Sequence, residues 1–341
     1  MRARNFNSCL FLLLFLSACA TGARKSESTE PSEYEGVSIQ EPVVEEQAIP
    51  ESYGPELPGT ESQNDSQESA APQQEQPPVI EKKEPKLCLI LGPGMARAIA
   101  HAAVLEAIKK AELPVHCVVG SEMGAVVGAL YVFSHGSANN LQWQLFKFNK
   151  ENYFNFPLLS LREPKSSGKK LNDTLREVFR DQRVEDLPIR FGVSATEPIS
   201  GTIRFLDRGN LTDALSATLA MPGIFDPWRS SNGELLSGAV SSPAPIELAR
   251  SLGGTFFVLI DVMEDSSGKM SGAERFQKAF SVVKNLIKLQ KKEASFVVQV
   301  KAGALPLEDF SRQGEILAAG SEAAELNIES LKAAWEKAIA E

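Results

Sequence analysis

Val118-Val119-Gly120-Ser121-Glu122-Met123-Gly124-Ala125, VVGSEMGA, runs from an apolar strand through a glycine turn into a helix. It has the shape of the G-x-S-x-G turn, which holds a strained serine at the top of a sheet between a strand and a helix. Midway between the two glycines, where that serine belongs, stands Glu122; a serine, Ser121, lies one position earlier. Three readings follow: a site without its nucleophile, a site whose nucleophile has moved, or an unrelated turn.

Upstream, the apolar run from Leu87 to Leu91 ends in Gly92-Pro93-Gly94. The spacing of Ile99, Val104, Leu105 and Ile108 then predicts a helix from Ala96 to Lys110. A strand at Val115 to Val119 and a helix from Met123 to about Phe133 complete a βαβα order, which argues for a parallel sheet. Further strands are expected at Ile189 to Ser194, Thr202 to Leu206, Phe256 to Asp261 and Phe296 to Val300. Helices are expected at Leu171 to Phe179, Leu211 to Ala217, Ala273 to Lys292 and from Glu315 onward. Glycine turns after parallel strands aim backbone N–H groups at helix starts, where negative charge is stabilised. By itself Gly92-Pro93-Gly94-Met95-Ala96-Arg97 would also suit a phosphate loop.

Four strings in order are more specific: LGPGMARAIAHAAVLEAI, VVGSEMGAVVGALY, SATLAMPGIFDPW and LLSGAVSSPAPI. Together they resemble patatin-like phospholipases from about Leu87 to Leu331. In that family the first string is G-x-G-x-x-R-G-x-x-H-x-G-V-L and supplies the oxyanion hole. Gly92, Gly94, Arg97, His101, Val104 and Leu105 match it, Met95 lies within it, and Ala98 and Ala103 stand where the family has glycine. The elbow G-x-S-x-G-A-x-x-G-A-L-Y is matched at Gly120, Gly124, Ala125, Gly128, Ala129, Leu130 and Tyr131. The third string, Pro222 to Pro227, resembles a wall of the site. The fourth aligns with D-G-[GA], whose aspartate is the family's general base; here it reads Ser237-Gly238-Ala239. The resemblance implies a three-layer α/β/α sandwich with a mainly parallel central sheet over residues 87–341.

The two departures bear on the chemistry. In the family the aspartate takes the serine proton as the hydroxyl attacks an ester, and backbone N–H groups stabilise the oxyanion. Glu122 is a poor nucleophile toward an unactivated ester, and Ser237 is no base near neutral pH. Losing such a group leaves about 10³–10⁴-fold over water. A carboxylate at the start of the helix is itself favourable by roughly 0.3–1 kcal/mol. It is therefore expected to fill the oxyanion hole and repel a negative transition state. Two alternatives keep a serine nucleophile: Ser237 with Glu122 as base, or Ser121 displaced by one residue. Arg97 and His101 are read as structural, Arg97 by neutralising a carboxylate near the turn and His101 as a satisfied core histidine. Phe225 and Trp228 are read as packing residues beside the wall string.

The chain begins with Arg2, Arg4 and the apolar run from Cys9 to Ala18, too short for a membrane span. Its ending, Leu16-Ser17-Ala18-Cys19, resembles a bacterial lipobox. Residues 1–18 are thus expected to be a signal peptide and Cys19 a lipidated anchor. The absence of aspartate at Ala20 and Thr21 implies, by the same resemblance, the outer membrane. From Ala20 to Lys86 there are nine prolines, 15 acidic and 5 basic residues, a net of −10. Such a segment buries too little apolar surface to fold, so residues 19–86 are expected to be a tether reaching about 45 Å. Removing that −10 and the +2 of the leader from the total of −9 leaves −1 for residues 87–341. That balance offers nucleic acid no electrostatic footing.

Cys88 and Cys117 sit in apolar runs and are read as buried free thiols, with a bridge requiring well-aligned Cβ atoms. His101, His116 and His135 show no metal-ligand spacing with them, and no metal or cofactor is expected. The segment SLREPKSSGKK, Ser160 to Lys170, is read as an exposed connection. Lys284, Lys288, Lys291 and Lys292 face away from Phe276, Phe280, Val283 and Ile287 and are read as a solvated helix face. The sequence therefore leads to an envelope protein that keeps a phospholipase fold without its chemistry and binds a lipid, an acyl chain or a protein partner. An active acyl hydrolase and a closed structural scaffold are the competing readings.

Overall fold

A computed structural model of the chain describes residues 84–134, 138–154, 166–230, 233–263, 274–302 and 305–341. The expected leader and most of the expected tether, Cys19 included, lie outside the described residues, as does His135.

In chain order the elements are β1 (Leu87–Leu91), α1 (His101–Lys110), β2 (Val115–Gly120), α2 (Glu122–Phe133), α3 (Ala138–Leu145) and α4 (Lys150–Tyr153). Then come α5 (Lys169–Phe179), β3 (Arg190–Thr196), β4 (Ile203–Leu206), α6 (Leu211–Leu219), β5 (Trp228–Ser230) and β6 (Gly233–Ser237). The last are α7 (Ile246–Ser251), β7 (Phe256–Asp261), α8 (Glu274–Gln290), β8 (Phe296–Gln299) and α9 (Gln313–Ala340). Among the described residues no helix is long and apolar enough to cross a membrane.

The strands form one sheet in the order β5-β6-β3-β2-β1-β7-β8, and β4 pairs with β3 off that path. Pairings β1/β2, β1/β7, β2/β3 and β7/β8 are parallel, and those of β4, β5 and β6 are antiparallel. Every residue of β1 is buried, as in a parallel strand covered on both faces. Its side chains alternate between two cores. Leu87, Leu89 and Leu91 pack with Leu105 of α1, Val126 of α2 and Ile316 of α9. Cys88 and Ile90 face the smaller core with Leu248 of α7 and Ile287 of α8. The result is a patatin-like α/β fold with helices on both sides of a mainly parallel sheet, and its turns after β1 and β2 lie side by side.

The structure corrects several expectations. Cys88 and Cys117 are joined in a disulfide, with Cα atoms 4.6 Å apart, instead of being free thiols. They are register partners on adjacent parallel strands, which brings both side chains to one face. The helix expected from Ala96 begins as a 3-10 segment, Met95–Ala100, before α1. There α9 crosses so closely that a Cβ on Gly320 would stand 2.3 Å from the Ala100 carbonyl oxygen. Of the segment read as an exposed connection, residues 160–165 lie outside the described residues. Ser166 is buried and bridges the wall string, its N–H donating to the Ile224 carbonyl at 2.7 Å. Lys169 and Lys170 already belong to α5. Helices α3 and α4 and the β5–β6 ladder had no clear apolar period to announce them.

Candidate functional site

The turn after β2 has the strained geometry that its glycines imply. Glu122 has φ +51, in the left-handed region that is unfavourable for residues with a Cβ by roughly 1–2 kcal/mol. The contacts around it keep it there. Gly124 lies so near the turn after β1 that a Cβ would meet the Gly92 carbonyl oxygen at 2.2 Å. A Cβ on Gly120 would come within 2.8 Å of Ala125 Cα. The Ser121 N–H donates to the Leu91 carbonyl at 3.2 Å, and the Glu122 N–H to Thr218 Oγ1 at 3.0 Å.

In the turn after β1, Met95 also has positive φ, +48. Gly94 is extended and its requirement is space, since a Cβ would sit 2.5 Å from Val262 Cγ2. The backbone N–H groups of Gly94 and Met95 converge on one carboxylate oxygen, Glu122 Oε2, at 2.9 and 2.8 Å. The second oxygen, Oε1, accepts a 2.6 Å hydrogen bond from the hydroxyl of Tyr153 at the end of α4. Glu122 is 1% exposed and Tyr153 0%. Burial first, then the neighbouring carboxylate, pushes the Tyr153 hydroxyl well above its ordinary pKa, so it keeps its proton and acts as donor. Three donors thus surround one buried carboxylate.

Tyr153 is also the centre of an aromatic cap. Its ring lies 5.0 Å from Phe154, 5.6 Å from Phe225 and 4.6 Å from Phe310. Phe154 stacks on Phe225 at 6.0 Å and meets Phe276 at 5.5 Å. Phe225 therefore does pack, and what it packs against is the cover over Glu122.

Ser237 closes β6 and is fully buried. Its Oγ accepts from the Ala239 N–H at 3.2 Å, its own N–H donates to Ala220 at 2.9 Å, and its carbonyl accepts from Thr196 Oγ1 at 2.9 Å. Gly238 is tight, with Ser194 backbone atoms 2.2 Å from where a Cβ would be. Among the described residues no hydrogen bond joins Ser237 to Glu122. Ser121 Oγ donates to the Pro243 carbonyl at 2.7 Å, on a different side of the turn from the Glu122 carboxylate and its donors.

Arg97 and His101 support the first turn from beneath. The Nε–H of buried Arg97 donates to the Leu305 carbonyl at 2.7 Å. His101 Nε2 lies 2.8 Å from the Gly92 carbonyl oxygen. Burial lowers the His101 pKa to about 4, so the ring is neutral and the carbonyl acceptor places its proton on Nε2.

Sequence reasoning missed Tyr153 and Thr218. Tyr153 carried one signal, an aromatic run of Tyr153, Phe154 and Phe156 directly after the polar residues Asn149 to Asn152. Thr218 lies within the string SATLAMPGIFDPW, but its role depends on how α6 meets the elbow.

Residues 89–250 match the family model described as patatin-like phospholipase. The chain is 29% identical over 181 residues to patatin-like phospholipase domain-containing protein 6 of Homo sapiens, covering 52% of this chain and 13% of that protein. It is 26% identical over 202 residues to an uncharacterized NTE family protein of Mycobacterium tuberculosis, covering 56% of this chain and 52% of that one. Neuropathy target esterase sws of Drosophila melanogaster is 30% identical over 179 residues, 51% of this chain and 13% of its own length. The chain thus spans a small part of its animal relatives and about half of the mycobacterial one. Among solved structures, VipD from Legionella pneumophila aligns with a TM-score of 0.43 at 11% identity, over 72% of this chain and 67% of VipD. The strand–turn–helix pair built on Gly92 and Gly120 falls within the matched stretch, and residues 89–250 form a patatin-like phospholipase domain with homologues in the NTE family.

Proposed function

We propose that this domain is a catalytically inactive member of its kind, tethered to the bacterial outer membrane through lipidated Cys19, that binds a lipid or acyl ligand or an envelope protein. The observation that carries the loss of hydrolysis is the Glu122 carboxylate, held by Gly94 N–H, Met95 N–H and the Tyr153 hydroxyl. In a serine acyl hydrolase those backbone donors stabilise charge that develops on a substrate oxygen. Here they are already bonded to a negative oxygen, which would repel a second one. No aspartate stands at position 237 to take a proton, and Ser237 Oγ is turned to its own loop. The membrane tether rests on the leader and the acidic segment of the sequence alone.

The competing reading is an active hydrolase that uses Ser237 with Glu122 as base, or Ser121. The bonds of Ser121 to Pro243 and of Ser237 to Ala239 weigh against both. The test treats the purified protein with a fluorophosphonate probe and a short-chain ester, beside Ser237→Ala and Ser121→Ala. No labelling and no turnover are expected in folded protein. Labelling that disappears in one of the two variants would name the nucleophile and overturn the inactive reading. A paired substitution, Glu122→Ser with Ser237→Asp, is expected to gain esterase activity that neither change gives alone.

A further inference from the structure

A cleft of about 320 Å³ lies between α5, α6 and the segment Phe225 to Trp228. Its floor is polar where its surroundings are not. Asn172 and Ser216 are each 8% exposed, beside core residues Leu171 and Leu219. The Asn172 amide donates to Ser216 Oγ at 2.7 Å. Among the described residues that is the only hydrogen bond of the side chain, although an amide has two N–H donors and an accepting oxygen. The amide oxygen is not sealed from solvent, so its open position is available to a ligand in the cleft.

Arg176 lies one turn beyond Asn172 on the same face of α5, is exposed and lines the cleft. Among the described residues it makes no ion pair, whereas Lys169, one turn before Asn172, is held by Asp173 at 2.8 Å. The start of α5 opens into the same space. Gly168 there has φ +69, and the first turn carries no acidic residue, while the Lys169 N–H donates to Ser167 Oγ and the Gly168 N–H to Ser166 Oγ, each at 3.4 Å. The helix dipole adds a modest positive potential to that end of the cleft. The opposite wall is apolar, formed by Phe225 and Trp228, with the carboxylate of Asp226 at its rim. The cleft is thus cationic and amide-lined on the α5 side and aromatic across from it.

We propose that this cleft binds an anionic amphiphile. Its phosphate or carboxylate group lies against the first turn of α5, Asn172 and Arg176, and its apolar part lies on Phe225 and Trp228. The site shares no polar atom with the Glu122 network. It touches that network through one ring, Phe225, which also packs on Tyr153. Occupancy is therefore independent of whether the elbow hydrolyses anything.

The experiment is calorimetric titration of the full chain with hexyl phosphate, inorganic phosphate and hexyltrimethylammonium. Hexyl phosphate has no carboxylic ester, so its binding is read apart from any hydrolysis. Saturable binding of one hexyl phosphate, about tenfold tighter than either comparison compound, is the expected result. Arg176→Gln should weaken it about tenfold, as loss of a charge-assisted contact does. Asn172→Leu should weaken it as well. Equal affinity for inorganic phosphate would remove the apolar half of the assignment, leaving a plain anion site. Equal affinity for the cation, or no change in Arg176→Gln, would overturn the assignment altogether. Arg176 is exposed, so that variant folds whether or not Asn172→Leu does.

Discussion

The turns after β2 and β6, where the resemblance implies a catalytic pair, hold Glu122 and Ser237, and the two side chains behave differently. Glu122 reaches across to another loop and another helix, accepting from Gly94, Met95 and Tyr153. The Ser237 hydroxyl stays at home; among the described residues its Oγ accepts from the N–H two residues on and bonds to no other group. The backbones are alike in one respect. Each turn is fixed by a glycine against neighbouring main chain, Gly124 at Gly92 and Gly238 at Ser194. Backbone shape in this site is thus set by packing, and it does not require the side chain that the shape usually serves.

The sharpest way to break that comparison is to disturb the packing itself. Gly124→Ala places a methyl group in the space of the Gly92 and Leu91 carbonyl oxygens, with no flexible neighbour to give way. It is expected to lower stability by about 4 kcal/mol in urea unfolding, or to prevent folding. A loss under 1 kcal/mol would mean that the two turns are not locked together.

The next largest effect tests the covalent tie beneath the turns. Replacing Cys88 and Cys117 together by alanine removes a link spanning 29 residues. About 3.5 kcal/mol should be lost on chain-entropy grounds. Thiol labelling of the denatured, unreduced protein should leave both cysteines unmodified; labelling without reductant would contradict the bridge.

His101 separates support from chemistry by pH. Its folded pKa of about 4 lies below the ordinary 6.5, so the unfolded chain binds the proton first as pH falls. The stability this neutral ring contributes is full above about pH 6.5 and is lost as pH falls toward about 4, at most about 3 kcal/mol. His101→Gln should flatten that part of the stability–pH curve; an unchanged slope would show that other groups carry it.

The smallest change probes the side-chain network alone. Tyr153→Phe keeps the aromatic cap and removes one hydrogen bond to a carboxylate, for an expected loss of about 2 kcal/mol. In a double-mutant cycle with Glu122→Gln the two should be coupled by about 1 kcal/mol, and additive effects would mean that the hydroxyl and carboxylate act separately.

Much of this fold was legible in the residues because its strands are continuous apolar runs, LCLIL and FFVLID among them, each ending at a glycine or polar boundary. The two glycine turns could be read for the same reason that they are rigid, since few residues fit them. What could not be read depends on register and approach. Cys88 and Cys117 pair only once β1 and β2 are aligned, and the runs KLCLIL and VHCVV fit more than one alignment. Tyr153 reaches Glu122 from a four-residue helix whose sequence has no period long enough to predict its direction. Met95–Ala100 winds as a 3-10 segment where α9, more than two hundred residues later, brings Gly320 against Ala100, a contact no local pattern announces.

The bridge between Cys88 and Cys117 has a mechanical consequence. The described chain enters the sheet directly at β1, which lies between β2 and β7, so a pull on the segment ahead of Leu87 loads an interior strand lengthwise. Cys88 is the second residue of that strand, and its covalent partner sits in β2. Tension would pass into the neighbouring strand after two residues, before it could slide β1 past its hydrogen bonds and draw the Gly92 turn away from Glu122.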